Sequence, residues 1–340
     1  MILTTPLIER LSRIGAVHVV ATPANAAILA NHPAVTSVIV FDKRGADRGL
    51  AGVRRVARAA RATGATIAYM AQGSLRTASI AWLAGIPERV GFTTSPGRLL
   101  YTRQVRFERS WHHADRLYAL GDGAVSGTAV RPTALRPSLH PSAADRAQAD
   151  ALLTENGVKL GDPLVALAPG SVWATKRWPS YDALAAALIA PLTSTPRLRI
   201  VVLGAASDAP LAAAIADAVL AAGGPPVINA TGQLSLLGSA ALLERMRVLV
   251  TNDSAPLHLA SATNTPTVAL FGPTVPALGF GPLADRHTVV QRALGCRPCG
   301  AHGPRACPLG HWDCMRTLTV PSVVDAIRDL TMADESLHGD

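Results

Sequence analysis

The stretch RVLVTNDSAPLHLASATNTPTVALFGPT, residues 247–274, contains a complete strand–helix–strand pattern. Its first apolar run predicts a buried strand that ends at Asn252. A helix follows, because Asp253 or Ser254 can cap it and Pro256 suits its first turn. The second apolar run predicts another strand, which ends in a tight turn. Two strands joined through a helix predict neighbours in a parallel sheet.

The same alternation continues on both sides of this stretch. Further strands of the second half are predicted in PLVALAPG (163–170), LRIVVLGA (198–205) and PVINATG (226–232). Those of the first half are predicted in VHVVATP (17–23), VTSVIVFD (35–42), ATIAYMAQG (65–73) and ERVGF (88–92). We therefore predict an α/β chain with two doubly wound, Rossmann-like domains, whose ligands gather at the carboxyl ends of the strands and in the crevice between the domains.

The domain boundaries follow from a change of composition in the middle of the chain. Residues 121–146 are rich in Gly, Pro, Ser and Ala, which is typical of a linker. The predicted parts are an N-terminal domain (1–125), a linker (126–142), a C-terminal domain (143–320) and a C-terminal helix with a tail (321–340).

Composition bounds the class of protein. The 340 residues are 49% hydrophobic and 16% charged, which is typical of a globular chain. We expect no membrane-spanning segment and no signal peptide, because every long apolar stretch is interrupted by charged residues or proline and the start lacks a basic region. Cytoplasm is the expected location.

The net charge of +9 invites an anionic partner, and nearly all the basic residues are arginines. Nucleic acid is excluded as the expected partner, because zinc-finger spacing is absent and only 4% of residues are aromatic. Arg54, Arg55, Arg58 and Arg61 fall largely on one helical face. That face is interpreted either as solvated or as a patch that binds a membrane surface.

Two stretches at predicted strand ends carry candidate anion-binding residues. In APGSVWATKRWP (168–179), a loop of small residues that includes Ser171 precedes Lys176, a compact cation suited to a phosphate oxygen. In the second stretch, Asp253 and Ser254 open a helix whose N-terminus suits a pyrophosphate, and His258 lies one turn further on. The alternatives are an ordinary surface loop, plain capping by Asp253 and a hydrogen-bonded core histidine.

A third stretch, CRPCGAHGPRACPLGHWDC, holds all four cysteines of the chain: Cys296, Cys299, Cys307 and Cys314. Four thiols so close in sequence are potential ligands of a structural zinc ion, and His302 and His311 are further potential ligands. The spacing does not match a zinc ribbon, so a loop of reduced thiols is the other interpretation.

Taken in this order, the three stretches resemble glycosyltransferase family 9, and look most like its lipopolysaccharide heptosyltransferase II group. The segments LTTPLIERL, AQGSLRTASIAWLAGIPERVGF and HHADRLYALG are similar to the corresponding N-terminal segments of that family. The resemblance implies a GT-B fold, in which two Rossmann-like domains face a central cleft. It implies an inverting transfer of heptose from ADP-L-glycero-D-manno-heptose to the phosphorylated inner core of lipid A, with no obligatory cofactor.

The resemblance also assigns roles to residues. Ser171 and Lys176 match the donor loop, and Asp253, Ser254 and His258 match the family's Asp-Ser/Thr-Gly…His motif. Ala255 stands at the glycine of that motif. Ala206 stands where relatives often carry an acidic residue for a ribose hydroxyl, and Asp208 is the nearest carboxylate. Arg76 is the candidate contact for the acceptor.

An inverting transfer needs a base that takes the proton of the acceptor hydroxyl. The family resemblance places this base, an Asp of a Gly-Asp pair, in a first strand and loop before LTTPLIERL. We therefore expect that segment to precede Met1 in a competent enzyme; the alternative is a short chain that only binds donor. A GT-B transferase with another nucleotide-sugar and a metal-binding scaffold stay open. The expected place is cytoplasmic, in peripheral contact with the inner face of the inner membrane.

Overall fold

The computed structural model describes residues 1–122, 135–189 and 198–332. The chain divides into two compact units, Met1–His140 and Pro141–Asp340. The division falls within the predicted linker, of which residues 126–134 lie outside the described residues, as do residues 333–340 of the predicted tail. No helix in the described ranges combines the length and the apolar character that crossing a bilayer requires.

The first unit contains five short parallel strands. They are β1 (His18–Ala21), β2 (Ser37–Val40), β3 (Ile67–Tyr69), β4 (Glu88–Phe92) and β5 (Arg103–Val105). Its α-helices are α1 (Thr5–Ser12), α2 (Pro23–Ile28), α3 (Gly49–Ala62), α4 (Leu75–Leu83) and α5 (His113–Ala119). The strands form two sheets, β1–β2 and β3–β4–β5, where the sequence predicts one. The reason is that β1 and β3 are not hydrogen-bonded to each other, and the described residues contain no strand that joins them.

The core of the first unit lies beneath α3 and α4. Val53, Val56 and Ala57 of α3 pack with Ala78 and Ile80 of α4 in one buried cluster. Small residues on both helices allow this close packing. Ser74 caps α4 by accepting a hydrogen bond from the Thr77 amide at 3.2 Å.

The second unit is built on one six-stranded parallel sheet. Its strands are β6 (Leu164–Ala168), β7 (Arg199–Val202), β8 (Ile228–Asn229), β9 (Val248–Asn252), β10 (Thr267–Phe271) and β11 (His287–Gln291). Its α-helices are α6 (Ala143–Glu155), α7 (Tyr181–Ile189), α8 (Ala209–Ala221), α9 (Leu236–Leu243), α10 (Ala255–Thr263), α11 (Asp313–Arg316) and α12 (Val320–Met332). Every residue of β6, β7, β9 and β10 is buried, because helices cover both faces of the sheet.

The order of the strands, β11-β10-β9-β6-β7-β8, fixes where a ligand can bind. From β6 the chain adds β7 and β8 on one side, then returns to add β9, β10 and β11 on the other. Leu167 of β6 therefore pairs with Val250 of β9 across the point where the order reverses. In open sheets of this kind, the crevice outside the carboxyl ends of two such strands is the ligand site.

Candidate functional site

Three loops meet outside the carboxyl ends of β6, β9 and β10. The loop after β6 runs through Ser171 into a short 3-10 turn at Ala174–Lys176. The loop after β9 is only Asp253 and Ser254, and α10 follows at once. The sequence predicts candidate residues in each of the first two loops independently, and the reversal of strand order brings both loops to one place.

Lys176 and Asp253 form a buried ion pair at this place. The Lys176 Nζ atom lies 2.6 Å from Asp253 Oδ2 and 3.4 Å from the Asp253 carbonyl oxygen. The hydroxyl of buried Thr274, in the turn after β10, donates to the same Oδ2 atom at 2.6 Å. The carboxylate is thus held by a cation and a hydroxyl. Asp253 does not cap α10, whose N-cap residue is Ser254.

Buried Asn252 fastens the β6 loop to β9. Its Nδ2 atom donates to the Pro169 carbonyl at 2.9 Å, and its Oδ1 atom accepts from the Trp178 amide at 3.2 Å. Because these bonds hold both ends of the loop that carries Lys176, the ammonium group has a fixed position. From the sequence, Asn252 is the end of a predicted strand and FGPT is a predicted tight turn. No functional role is predicted for Asn252 or Thr274.

The N-terminus of α10 opens beside the ion pair. Ser254 is the N-cap residue, but its side chain makes no capping hydrogen bond, and Ala255 is exposed. Pro256 has no N–H group and the Leu257 amide donates to the Ser254 carbonyl at 3.2 Å, so the Ala255 amide is the donor that the start of α10 offers to an anion. Half-buried His258 lies further along α10, where its ring is 6.4 Å from that of Phe280.

The start of the β6 loop is held by hydrogen bonds and by close packing at Gly170. Arg177 Nε donates to the Ser171 carbonyl at 2.9 Å, and the Ser171 hydroxyl accepts from the Trp173 amide at 3.4 Å. A Cβ atom at Gly170 would lie 2.2 Å from Asp208 Oδ2, so the approach of this carboxylate requires glycine there. Asp208 also accepts from the Ala205 amide at 3.0 Å, which commits it to the turn before α8.

A cavity of about 300 Å³ lies behind the β6 loop. Its lining includes Arg177, Trp178, Tyr181, Ile215 and Trp312. The Tyr181 hydroxyl is buried and finds no hydrogen-bond partner among the described residues. Burial raises the pKa of this phenol well above its usual value, so the group stays neutral.

The four-cysteine segment, residues 296–314, packs against the back of the same loops. The Thr175 hydroxyl donates to the Pro304 carbonyl at 2.5 Å, and Trp312 Nε1 donates to the Thr175 carbonyl at 2.8 Å. The Cys299 amide donates to the Pro273 carbonyl at 2.7 Å. The segment thereby supports the residue before Lys176 and the residue before Thr274.

Arg297 lies at the centre of this support. Its Nη2 atom donates to the carbonyls of Phe271 at 3.1 Å and Thr274 at 2.7 Å, and its Nε atom donates to the Gly272 carbonyl. The guanidinium group thus binds three backbone oxygens of the turn after β10. Burial lowers the pKa of Arg297. No feature of the sequence distinguished this arginine from the many on the surface.

The four thiols are free and differ in acidity. Burial raises the pKa of Cys314 to about 11, whereas backbone N–H groups, that of Trp312 foremost, lower the pKa of Cys307. The Cys299 thiol donates to the Cys296 carbonyl at 3.2 Å. A zinc ion on these thiols stays a prediction.

Within the described ranges, three side chains of the first unit are close enough to share a metal ion, and none of them is a cysteine. They are Glu9, His32 and His140, whose ligand atoms lie within 4.8 Å of one another. His32 Nδ1 accepts a hydrogen bond from the Ala34 amide at 3.2 Å, so the neutral ring carries its proton on Nε2, which faces Glu9. A metal-binding histidine donates from its second nitrogen instead, and the geometry therefore favours a hydrogen-bonded cluster.

Arg76, the predicted acceptor contact, is exposed on α4 of the first unit. The structure thus joins Lys176 to Asp253, sets Ser254 and Ala255 at the adjacent helix start, and holds Ser171 in the same loop as Lys176.

A family profile and curated proteins match this chain. The profile described as glycosyltransferase family 9 (heptosyltransferase) matches residues 53–309. Lipooligosaccharide heptosyltransferase 2 of Haemophilus influenzae is 28% identical over 234 residues, which cover 67% of this chain and 66% of that protein. Lipopolysaccharide heptosyltransferase 2 of Escherichia coli K12 is 28% identical over 236 residues, which cover 67% and 65%. The chain thus spans slightly less than two thirds of the length of these curated relatives.

Solved structures share the fold. A glycosyl transferase family 9 structure from Veillonella parvula superposes with a TM-score of 0.81 at 23% identity and covers 98% of this chain and 94% of that one. E. coli ADP-heptose LPS heptosyltransferase II gives a TM-score of 0.78 at 23% identity, with 98% and 96% covered. These likenesses carry the fold alone, and they confirm the predicted GT-B class.

Proposed function

The chain belongs to glycosyltransferase family 9, and from that membership we propose that it transfers heptose from an ADP-heptose donor to the inner core of lipopolysaccharide. The observation that carries the proposal is the buried Lys176–Asp253 pair at the start of α10, at the reversal of strand order. An anionic nucleotide diphosphate fits a site that offers an ammonium group together with helix amides.

In the proposed complex, the second unit binds the donor. The Ala255 amide, the first of α10, donates to the pyrophosphate, and Lys176 binds one of its oxygens. Asp253 holds the ammonium group and Thr274 holds the Asp253 carboxylate, so little reorganisation is needed when the sugar leaves. Ser171, Ala255 and His258 complete the donor loops.

The proposed reaction is an inverting transfer. An acceptor hydroxyl attacks the anomeric carbon, the bond to the diphosphate breaks, and ADP leaves with its charge stabilised by Lys176 and the N-terminus of α10. A base removes the proton of the attacking hydroxyl. We assign this base to no residue of the present sequence, and we propose no cofactor for the step.

The proposed acceptor is the phosphorylated core of lipid A, and the basic first unit suits its charge. Arg76 is the proposed contact, since its exposed guanidinium group is available to a phosphate. The proposed place is the cytoplasmic face of the inner membrane, in peripheral contact. Nucleic acid is not a proposed partner.

The test of the donor site compares ADP with UDP by titration calorimetry. We expect ADP to bind more tightly, and Lys176→Ala to weaken ADP binding by about tenfold or more, because a hydrogen bond from a charged group is lost. Lys159→Ala is the matched control, since Lys159 is exposed in the same unit.

The test of transfer is the mass of a heptose-deficient lipopolysaccharide core after incubation with ADP-heptose. A gain of one heptose supports the proposal. A clear preference for UDP, or equal ADP binding by the Lys176→Ala and Lys159→Ala variants, would contradict it.

A further inference from the structure

The excess of basic over acidic residues is confined to the first unit. Residues 1–140 hold 18 Lys and Arg against seven Asp and Glu, a net charge of +11, whereas residues 141–340 hold 14 against 16, a net charge of −2. Within the first unit, α3 and α4 together carry five arginines and neither Asp nor Glu. These two helices therefore form a surface that attracts anions along its whole length.

Two of these arginines have structural roles. Arg55 bonds to Asp47 through both Nε and Nη2, and it donates to the Val40 carbonyl at 2.6 Å. Arg61 donates to the carbonyls of Leu83 and Ala84 at 3.0 Å, which fastens the end of α4 to α3. Their charge is engaged within the unit.

The other three are directed to solvent. Arg54, Arg58 and Arg76 are exposed, and they form no hydrogen bond or ion pair with the described part of the chain. Large apolar side chains are exposed beside them on the same two helices: Leu50 is 74% exposed, Leu75 56% and Trp82 54%. We call Leu50, Arg54, Arg58, Leu75, Arg76 and Trp82 the α3–α4 face.

These six side chains share one surface. Leu50, Arg54 and Arg58 follow a spacing of four residues and hence one stripe of α3. On α4, Leu75 and Trp82 are seven residues apart and share one stripe, and exposed Arg76 lies about 100° round the helix from Leu75. Because α3 and α4 pack side by side on the same buried cluster, their exposed stripes are adjacent.

We propose that the α3–α4 face docks on an anionic lipid bilayer. Arginines that lack protein partners can bind lipid phosphates, leucines can enter the interface, and an exposed tryptophan prefers that depth because its ring is apolar and its N–H group is polar. A second copy fits poorly, since two such faces would oppose arginines to arginines without a carboxylate. The inference rests on the proposed function, because docking would bring the enzyme to an acceptor held in a membrane.

The test is sedimentation of the full chain with vesicles of phosphatidylcholine alone or mixed equally with phosphatidylglycerol. We expect binding to the anionic vesicles only, and weaker binding at higher salt. Arg54→Gln/Arg58→Gln should reduce that binding by about tenfold, because each exposed arginine near an anionic surface contributes to it. Circular dichroism checks that the variant is folded.

The matched control is Arg13→Gln/Arg328→Gln, which removes the same net charge from two exposed positions outside the α3–α4 face. Its binding should stay within about twofold of wild type. Equal loss in both double variants, or equal binding to both kinds of vesicle, would overturn the proposal. Trp82→Phe supplies a second measurement: a blue shift of tryptophan emission on anionic vesicles should occur in the wild type and disappear in this variant, and an unchanged shift would also overturn it.

The docking test is independent of the test of transfer. Arg54→Gln/Arg58→Gln should act on a delipidated, water-soluble core acceptor at the wild-type rate, since neither residue belongs to the donor site. Vesicle binding without any heptose transfer would refute the proposed function alone. Transfer without preference for anionic vesicles would refute the docking proposal alone.

Discussion

At the scale of single residues, the Lys176–Asp253 pair combines stability with readiness to bind an anion. Both side chains are buried, so removal of either would leave an unpaired charge, at a cost of about 3–5 kcal/mol. Thr274 donates to the same carboxylate and so limits the movement of the pair. A phosphate can approach the ammonium group without first ordering it.

The sequence indicates both partners of this pair but not the pairing. Lys176 and Asp253 are 77 residues apart, and each was selected because it follows a predicted strand. Only the strand order, with β6 beside β9, brings them together. Thr274 was missed because a threonine in a tight turn has many ordinary roles, and its bond to Asp253 depends on the register of β9 and β10.

A second residue-scale feature is the buried His32 ring in the first unit. Burial lowers its pKa, His140 lowers it further, and Glu9 opposes the shift. The unfolded chain, with a pKa of about 6.5, therefore takes up this proton first as the pH falls. The neutral ring contributes stability that is complete above about pH 6.5 and is lost as the pH falls towards the lower pKa of the folded state.

We expect His32→Asn to flatten the pH dependence of stability below about pH 6.5, where one proton contributes at most about 1.4 kcal/mol per pH unit. Asparagine retains an acceptor for the Ala34 amide, so the local turn keeps its hydrogen bond. The measurement is the urea midpoint as a function of pH, with exposed His302→Asn as control. Equal slopes for wild type and His32→Asn would show that the ring does not titrate with folding.

At the scale of elements, burial makes the central strands of the second unit predictable from the sequence. β6, β9 and β10 are buried at every position, so their sequences are continuous apolar runs that predict strands. β11 lies at the sheet edge with both ends exposed, and HTVVQ was not predicted as a strand. β5, Arg103–Val105, was missed for the same reason, since only Val105 is buried.

The four-cysteine segment is the element whose role the sequence did not reveal. Its thiols suggested metal chemistry, whereas its described contacts support the loops after β6 and β10 through backbone groups and Arg297. Backbone carbonyls are present at every residue, so no pattern indicates which of them an arginine will bind.

We expect Arg297→Lys to weaken ADP binding by about tenfold. A lysine ammonium cannot reproduce the planar fork that binds the carbonyls of Phe271, Gly272 and Thr274, so the turn that carries Thr274 would shift. Titration calorimetry measures the change, and Arg305→Lys is the control, because Arg305 is exposed in the same segment. If the two variants bound ADP equally well, the proposed support of the turn by Arg297 would be wrong.

At the scale of the whole molecule, the basic excess and the proposed donor site lie in different units. The second unit holds the buried ion pair and the start of α10 but carries slightly negative net charge, whereas the first unit holds the basic excess. The proposed attraction to an anionic surface and the proposed recognition of a diphosphate therefore depend on different residues. A substitution in one set leaves the other set in place.

This division predicts where ADP protects the chain from hydrogen exchange. At about 100 times its Kd, ADP should stabilise the folded state by about 2.7 kcal/mol. Amides in the loops after β6, β9 and β10 should exchange more slowly, because these loops surround the ion pair, whereas α3 and α4 should be unchanged. Mass spectrometry of peptides after exchange measures both regions in one sample. Lys176→Ala should lower this stabilisation to about 1.4 kcal/mol or less at the same ADP concentration, because its Kd is expected to rise about tenfold or more. Protection centred on α3 and α4 would place the nucleotide in the first unit instead.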